Sequence, residues 1–307
     1  MTAILQRTLL VGLAVASLGG CATAYAPTED APFASGQDVR LAAYNVGFGA
    51  VVGAVGAAVN GERGTVWERA GRGALTGGAG GAGLYAGKWI AGQVDESSAL
   101  AWGLPATLVH ETAASVVENA ALDDAPLGRL SFHTAFVRLD VRTQTGAVRA
   151  RVMPLNAVAF GMMLAEGHRF SLGRSLVYGA PLFLGDERSA DPLGLLGRTA
   201  RGFVFLNTAF LWEQSPNFHE TAGHELVHIM QHREFLRTGV LLHPLDDVLR
   251  QSETYRAVAR YVYLDNVGPQ AAVYFLIEGG ADREGCYFDN WLEFEAEAFG
   301  ERERVPC

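Results

Sequence analysis

The chain has 307 residues, 49% hydrophobic and 19% charged, enough to bury a sizeable core in one or two domains. Its formal charge of -9 argues against a nucleic-acid partner, which asks for a basic face. It has no long basic run to suit an anionic membrane surface either.

The N-terminal stretch MTAILQRTLLVGLAVASLGGC places Arg7 ahead of an uncharged run from Thr8 to Gly20. A charged start, an apolar middle and small residues at the cut make a secretory signal over 1–20. The segment LGGC resembles the bacterial lipobox. The resemblance implies cleavage before Cys21 and lipid attachment there. With Ala22 following, it also implies a cell-envelope address at the outer membrane, periplasmic or surface-facing. The alternative is an ordinary secretory signal cut near ATAYA. Once Cys21 is lipidated, Cys286 and Cys307 remain as an even pair in an exported chain. A disulfide between them is expected, with two unpaired thiols as the alternative. Residues 21–40 are polar and Pro-containing and read as a tether.

Residues 41–125 form a Gly/Ala-rich region. LAAYNVGFGAVVGAVGAAVNG, residues 41–61, carries no charge, and ALTGGAGGAGLYAG follows at 74–87. Gly49 with Gly53, and Gly73, Gly77 and Gly81, recur at intervals of four, the spacing that lets helix backbones approach closely. Three readings stay open: a helical hairpin packed in the protein's own core, a membrane contact, and a flexible Gly-rich segment. Residues 104–122 have helical periodicity, with Leu108, Ala113, Val116, Val117 and Ala120 near helical spacing.

From 126 the period changes to two. Val137, Leu139 and Val141 alternate with Arg138, Asp140 and Arg142, and Val148, Ala150 and Val152 alternate with Arg149 and Arg151. With TQTG between them, this predicts a β-hairpin with one wet face. Apolar runs at FSLGRSLVYG, PLFLG and GFVFLN extend the expectation to a small, largely antiparallel sheet over 132–207. A helix and a helical C-terminal part follow it. The predicted class is α+β.

The stretch HETAGHELVHIMQHREF holds His219, His224, His228 and His232. His224 and His228, four apart, share a helical face, so both imidazoles reach one ion. Glu225 is rotated about 100° from His224, which aims it at the ion's water rather than at the ion. The other His-Glu pairs, His110-Glu111 and His219-Glu220, have Ala114 and Gly223 where the second histidine would stand. Ser215 as N-cap, Pro216 at the first position and Gly239 as a stop would bound this helix. His232 shares the face a further turn along and reads as a support to the site or a surface residue, and His219 as a bystander.

Downstream, NWLEFEAEAFG places Glu293 and Glu297 one turn apart. His224, Glu225 and His228, followed by a helical Glu-x-x-Ala-Glu, resemble the gluzincin branch of zinc metallopeptidases. The resemblance implies a zincin-like domain over 126–307 and a Zn2+ site held by His224, His228 and Glu293, with Glu295 as the fallback ligand. It implies that Glu225 acts as general base and that Glu297 orients a ligand histidine. Gln231 and Glu234 stand where the metzincin pattern requires glycine and histidine, which excludes that branch. Two histidines and one carboxylate leave a fourth position open, as in catalytic zinc sites. The implied activity is peptide-bond hydrolysis on a protein or peptide substrate. The alternative is a non-catalytic envelope lipoprotein with a structural or degenerate zinc site. Tyr255, Tyr261, Tyr263, Tyr274 and His243 are candidate oxyanion donors, and GFVFLN is a candidate edge strand for aligning the substrate.

Overall fold

The computed structural model describes residues 35–94, 99–186, 201–264 and 291–300. Cys21, Tyr274, Cys286 and Cys307, and with them the lipidation and disulfide expectations, lie outside the described residues.

Three long helices open the fold: α1 (Ser35–Asn60), α2 (Val66–Ala91) and α3 (Ala99–Ala121). The first begins six residues inside the expected tether. Thr65 starts α2 with a capping box, accepting from the Glu68 amide while the Glu68 carboxylate accepts from the Thr65 amide. The seam between α1 and α2 is made of glycine. A methyl on Gly49 would collide with the Gly77 carbonyl, and one on Gly53 with that of Gly73. Along α2, a Cβ on Gly80 or Gly87 would in turn meet Val117 or His110 of α3 at 2.7 Å. The Gly/Ala-rich region is therefore a close-packed hairpin seated on the protein's own core. By length and composition α1 could also cross a membrane, and 44% of its apolar window is buried inside the fold.

Strands β1 (Arg129–His133), β2 (Val137–Arg142) and β3 (Ala147–Val152) form an antiparallel sheet. Asp140 pairs with Arg149 and Arg138 with Arg151 across β2 and β3. The expected wet face is turned inward. Arg138 and Asp140 are buried, while Val137, Leu139 and Val141 are half-buried and Val148 is exposed. The reason is a set of opposite charges behind the sheet. Arg138 donates to Glu118 of α3 (2.7 Å) and to Asp140 (2.8 Å), and Ser131 donates to Asp140 (2.7 Å).

Next come α4 (Pro154–Ala165), β4 (Arg169–Phe170), α5 (Leu172–Tyr178), β5 (Leu182–Gly185), β6 (Gly202–Phe205) and β7 (Thr208–Trp212). The run FSLGRSLVYG is a two-residue strand leading into a helix, rather than a full strand. The second sheet has the order β4-β5-β7-β6, with β5 and β7 parallel and the other pairs antiparallel. The class is α+β, with the strands divided between two sheets.

Helix α6 (Phe218–Arg237) starts at the N-cap Asn217, two residues beyond Ser215, and the chain passes through Gly239 in a 3-10 turn, Thr238–Leu242. Short helices α7 (His243–Leu249) and α8 (Glu253–Ala259) follow, and α9 (Trp291–Gly300) is the last described element. Leu226, Val227, Ile229 and Met230 of α6 share one core with Leu182, Leu184, Ala209 and Leu211 of the second sheet and Ala296 of α9. Side chains of this kind contribute ~1.5–3 kcal/mol each when fully buried. That packing places α6 between the sheet and α9.

Candidate metal centre

His224 and His228 lie one turn apart on α6, and Glu293 comes to them from the first turn of α9. His228 Nε2 stands 3.0 Å from His224 Nε2 and 3.3 Å from Glu293 Oε2, and His224 Nε2 stands 3.4 Å from the same oxygen. Ligand atoms about 2.0–2.2 Å from a tetrahedral ion stand about 3.3–3.6 Å apart, so the carboxylate separations fit zinc and the His–His separation is slightly inside. Two imidazole nitrogens facing each other at this distance with a carboxylate beside them make a donor set suited to a cation. The residues fit the metal.

The electrostatics agree with that fit. Burial alone would lower His228, but the Glu293 carboxylate, with help from Glu225 and Gln231, outweighs it and raises His228 to about 9. Burial works against ionisation of Glu293, yet His228 and His224 hold it well below the usual carboxylate range.

His228 Nδ1 donates to Gln231 Oε1 at 2.8 Å, so Gln231, rather than Glu297, orients this ring. His224 Nδ1 is buried and has no hydrogen-bond partner among the described residues. Glu297 is half-buried one turn beyond Glu293. The fallback ligand Glu295 is engaged elsewhere, as the acceptor of an ion pair with Lys88 at 2.8 Å. His232 neither supports the site nor lies on the surface. It is half-buried beside His133 and Arg233, and burial with their repulsion pushes it down to about 3. His219 Nδ1 lies 2.7 Å from the Tyr178 hydroxyl.

Glu225 is buried next to β6: a Cβ on Gly202 would lie 2.7 Å from Glu225 Oε1. β6 is the edge of its sheet among the described residues. Among the described oxyanion-donor candidates, three have partners of their own and one is exposed. Tyr255 donates to Asp246, His243 to Asp247, Tyr263 lies under Arg138 and Arg151, and Tyr261 is 72% exposed.

Two buried polar networks that no local sequence motif marks surround the site. In one, Lys88 of α2 meets Glu234, Glu295 and Asn45, and His110 Nε2 lies 2.9 Å from Glu234. In the other, Arg237 donates to both Glu111 and Glu118 at 2.6 Å. His110-Glu111, set aside as a metal pair, thus has one residue in each. One signal was available for the first network. Lys88 is the single charged residue between Arg72 and Asp95, a stretch otherwise made of small, apolar and uncharged polar residues.

Comparisons with protein-family models, with curated proteins and with solved structures find no match to this chain. The likeness to gluzincins rests on the residues of the site alone.

Proposed function

We propose that the protein is a zinc-dependent metallopeptidase, exported and held at the cell envelope by lipid on Cys21, that hydrolyses peptide bonds. The observation that carries this reading is the convergence of His224, His228 and Glu293 next to a buried Glu225. A structural site has no use for a further carboxylate beside the first ligand.

His224 Nε2, His228 Nε2 and one Glu293 oxygen would hold the ion, and Gln231 keeps His228 Nδ1 protonated so that Nε2 is free to bind. Bound zinc supplies Lewis-acid polarisation of a carbonyl and acidifies water. Glu225 takes a proton from the attacking water on its carboxylate and returns it to the leaving amine nitrogen. The β6 edge next to Glu225 offers backbone hydrogen bonds along which an extended peptide aligns. Gly202 keeps that approach open, because any side chain there would press on the base.

The test is zinc content and cleavage of unfolded protein substrates by wild type, Glu225→Gln and Glu293→Gln. Support requires one zinc per chain in wild type and Glu225→Gln, loss of zinc in Glu293→Gln, and cleavage by wild type alone. Zinc in wild type without cleavage of any substrate would favour a structural site instead.

A further inference from the structure

The residue that connects the glycine-rich hairpin to the metal centre is a lysine. Lys88 is 0% exposed. A buried ammonium costs several kcal/mol in lost hydration unless its three protons are matched. Here all three are. Lys88 Nζ donates to Glu295 Oε2 (2.8 Å), Glu234 Oε2 (3.0 Å) and Asn45 Oδ1 (3.0 Å), on α9, α6 and α1 respectively. One side chain from α2 thus ties together three other helices.

Glu295 is saturated in turn. Its Oε1 accepts from Asn45 Nδ2 at 2.7 Å, and its Oε2 accepts from Gln231 Nε2 at 3.0 Å as well as from Lys88. The second proton of Gln231 Nε2 goes to the Leu292 carbonyl at 2.9 Å. These two acceptors fix which way the Gln231 amide faces, because a flipped amide would turn its oxygen toward a carboxylate and a carbonyl. With Nε2 so committed, Oε1 must face His228 Nδ1, which must carry the proton. When the ring gives up its Nε2 proton, as metal binding requires, His228 is thereby held in the tautomer whose Nε2 lone pair points at His224 and Glu293.

We propose that Gln231 and Lys88 are positioning residues of the metal centre, Gln231 acting on His228 directly and Lys88 acting through Glu295. The same contacts set the third ligand. Leu292 and Glu295 flank Glu293 on α9, so Gln231 grips the turn that carries Glu293 from both sides. The glycine-rich hairpin completes the hold on α9 with Tyr44 against Trp291 (4.8 Å) and Tyr85 against Phe299 (5.6 Å). The inference rests on the metal reading and deepens it: the hairpin is part of the site's construction.

The experiment measures zinc affinity by chelator competition, and the visible spectrum of bound cobalt, on the full chain. The variants are Gln231→Met, Lys88→Met and their double, with the melting temperature of the metal-free form recorded for each. Gln231→Met is expected to weaken zinc by roughly 10–100-fold and to alter the cobalt spectrum, the usual range for a lost partner of a ligand histidine. Lys88→Met weakens it in the same sense, and because the two act in series the double loses much less than the product of the singles. If Lys88→Met does not fold, Glu295→Gln reads the same link, since it keeps the shape and removes the charge between Lys88 and Gln231. Unchanged affinity and spectrum in Gln231→Met overturn the proposal while the metal reading stands. Fully multiplicative losses overturn the role of Lys88. Failure of the wild-type chain to bind zinc or cobalt sinks the metal reading itself, and this proposal with it.

Discussion

Gly202 lies against Glu225 so closely that a Cβ at 202 would sit 2.7 Å from Oε1 and 2.9 Å from Cγ of the carboxylate side chain. Glu225, the proposed base, and the edge strand are therefore positioned by the same contact. Gly202→Ala is expected to displace the Glu225 carboxylate and lower kcat/KM by about 10–100-fold, the scale set by misplacing a catalytic group by up to an ångström. Zinc content should be unchanged, because no ligand is touched. Cleavage at the wild-type rate would show that the position of Glu225 does not limit the reaction.

Glycines in the α1–α2 seam should behave oppositely to glycines that face open space. Gly77→Ala pushes a methyl into the Gly49 carbonyl and is expected to destabilise by at least ~1–3 kcal/mol. Nothing lies within 4 Å of a Cβ on Gly71, in an exposed position of the same helix, so Gly71→Ala should stabilise by ~0.5–1 kcal/mol. Denaturant unfolding of both variants checks the pair of signs.

Acid should weaken the metal-free fold before its carboxylates are protonated. Burial, with Arg237 adding repulsion against the pull of Glu111, holds His133 down to about 4, and His232 is held to about 3. Unfolded histidine takes up its proton near pH 6.5, so between 6.5 and 4 the unfolded chain binds more protons and stability falls with pH. His228, raised to about 9, is protonated in both states below 6.5 and adds no slope there. Glu111 and Glu118, held low by their partners, contribute a further loss below about 4.5. The two histidines together amount to on the order of several kcal/mol by pH 4.5. In chelator, the melting temperature should drop steadily from pH 6.5 to 5, and His133→Asn should flatten that slope. A flat profile above pH 5 would refute the assignment.

Cys21→Ser should abolish incorporation of labelled fatty acid and move the chain from the membrane fraction to the soluble one. Retention of label in the variant would locate the lipid elsewhere, and absence of label in wild type would favour an ordinary secretory signal.

The candidate metal ligands are readable because their geometry is local. His224 and His228 need nothing but a helix to face one ion, and the downstream glutamates needed one family pattern to be ranked. Glu295 cannot be told from a ligand without its partner, and that partner, Lys88, lies 207 residues away on another helix. The sheet shows a different limit. Alternation at Val137 to Arg142 predicted two unlike faces, and two faces exist. Which one is buried depended on Glu118 and Arg237, whose approach the strand does not encode. A charged face goes inward when its charges are met, and the meeting is a tertiary event. The glycine spacing predicted close helices, yet the partner glycines could be assigned only once the hairpin had closed.

The seam at Gly49, Gly53, Gly73 and Gly77 has a mechanical meaning. Packed helices slide over one another by letting side chains between them swing to new rotamers, and here backbone meets backbone with no such layer. The hairpin has no gear by which to shift a fraction of a turn. The wall that holds Lys88, and through it α9, is thus a fixed frame. On the proposed peptidase reading, the breathing that admits a substrate is expected on the β6 side of Glu225, where the strand has an open edge among the described residues.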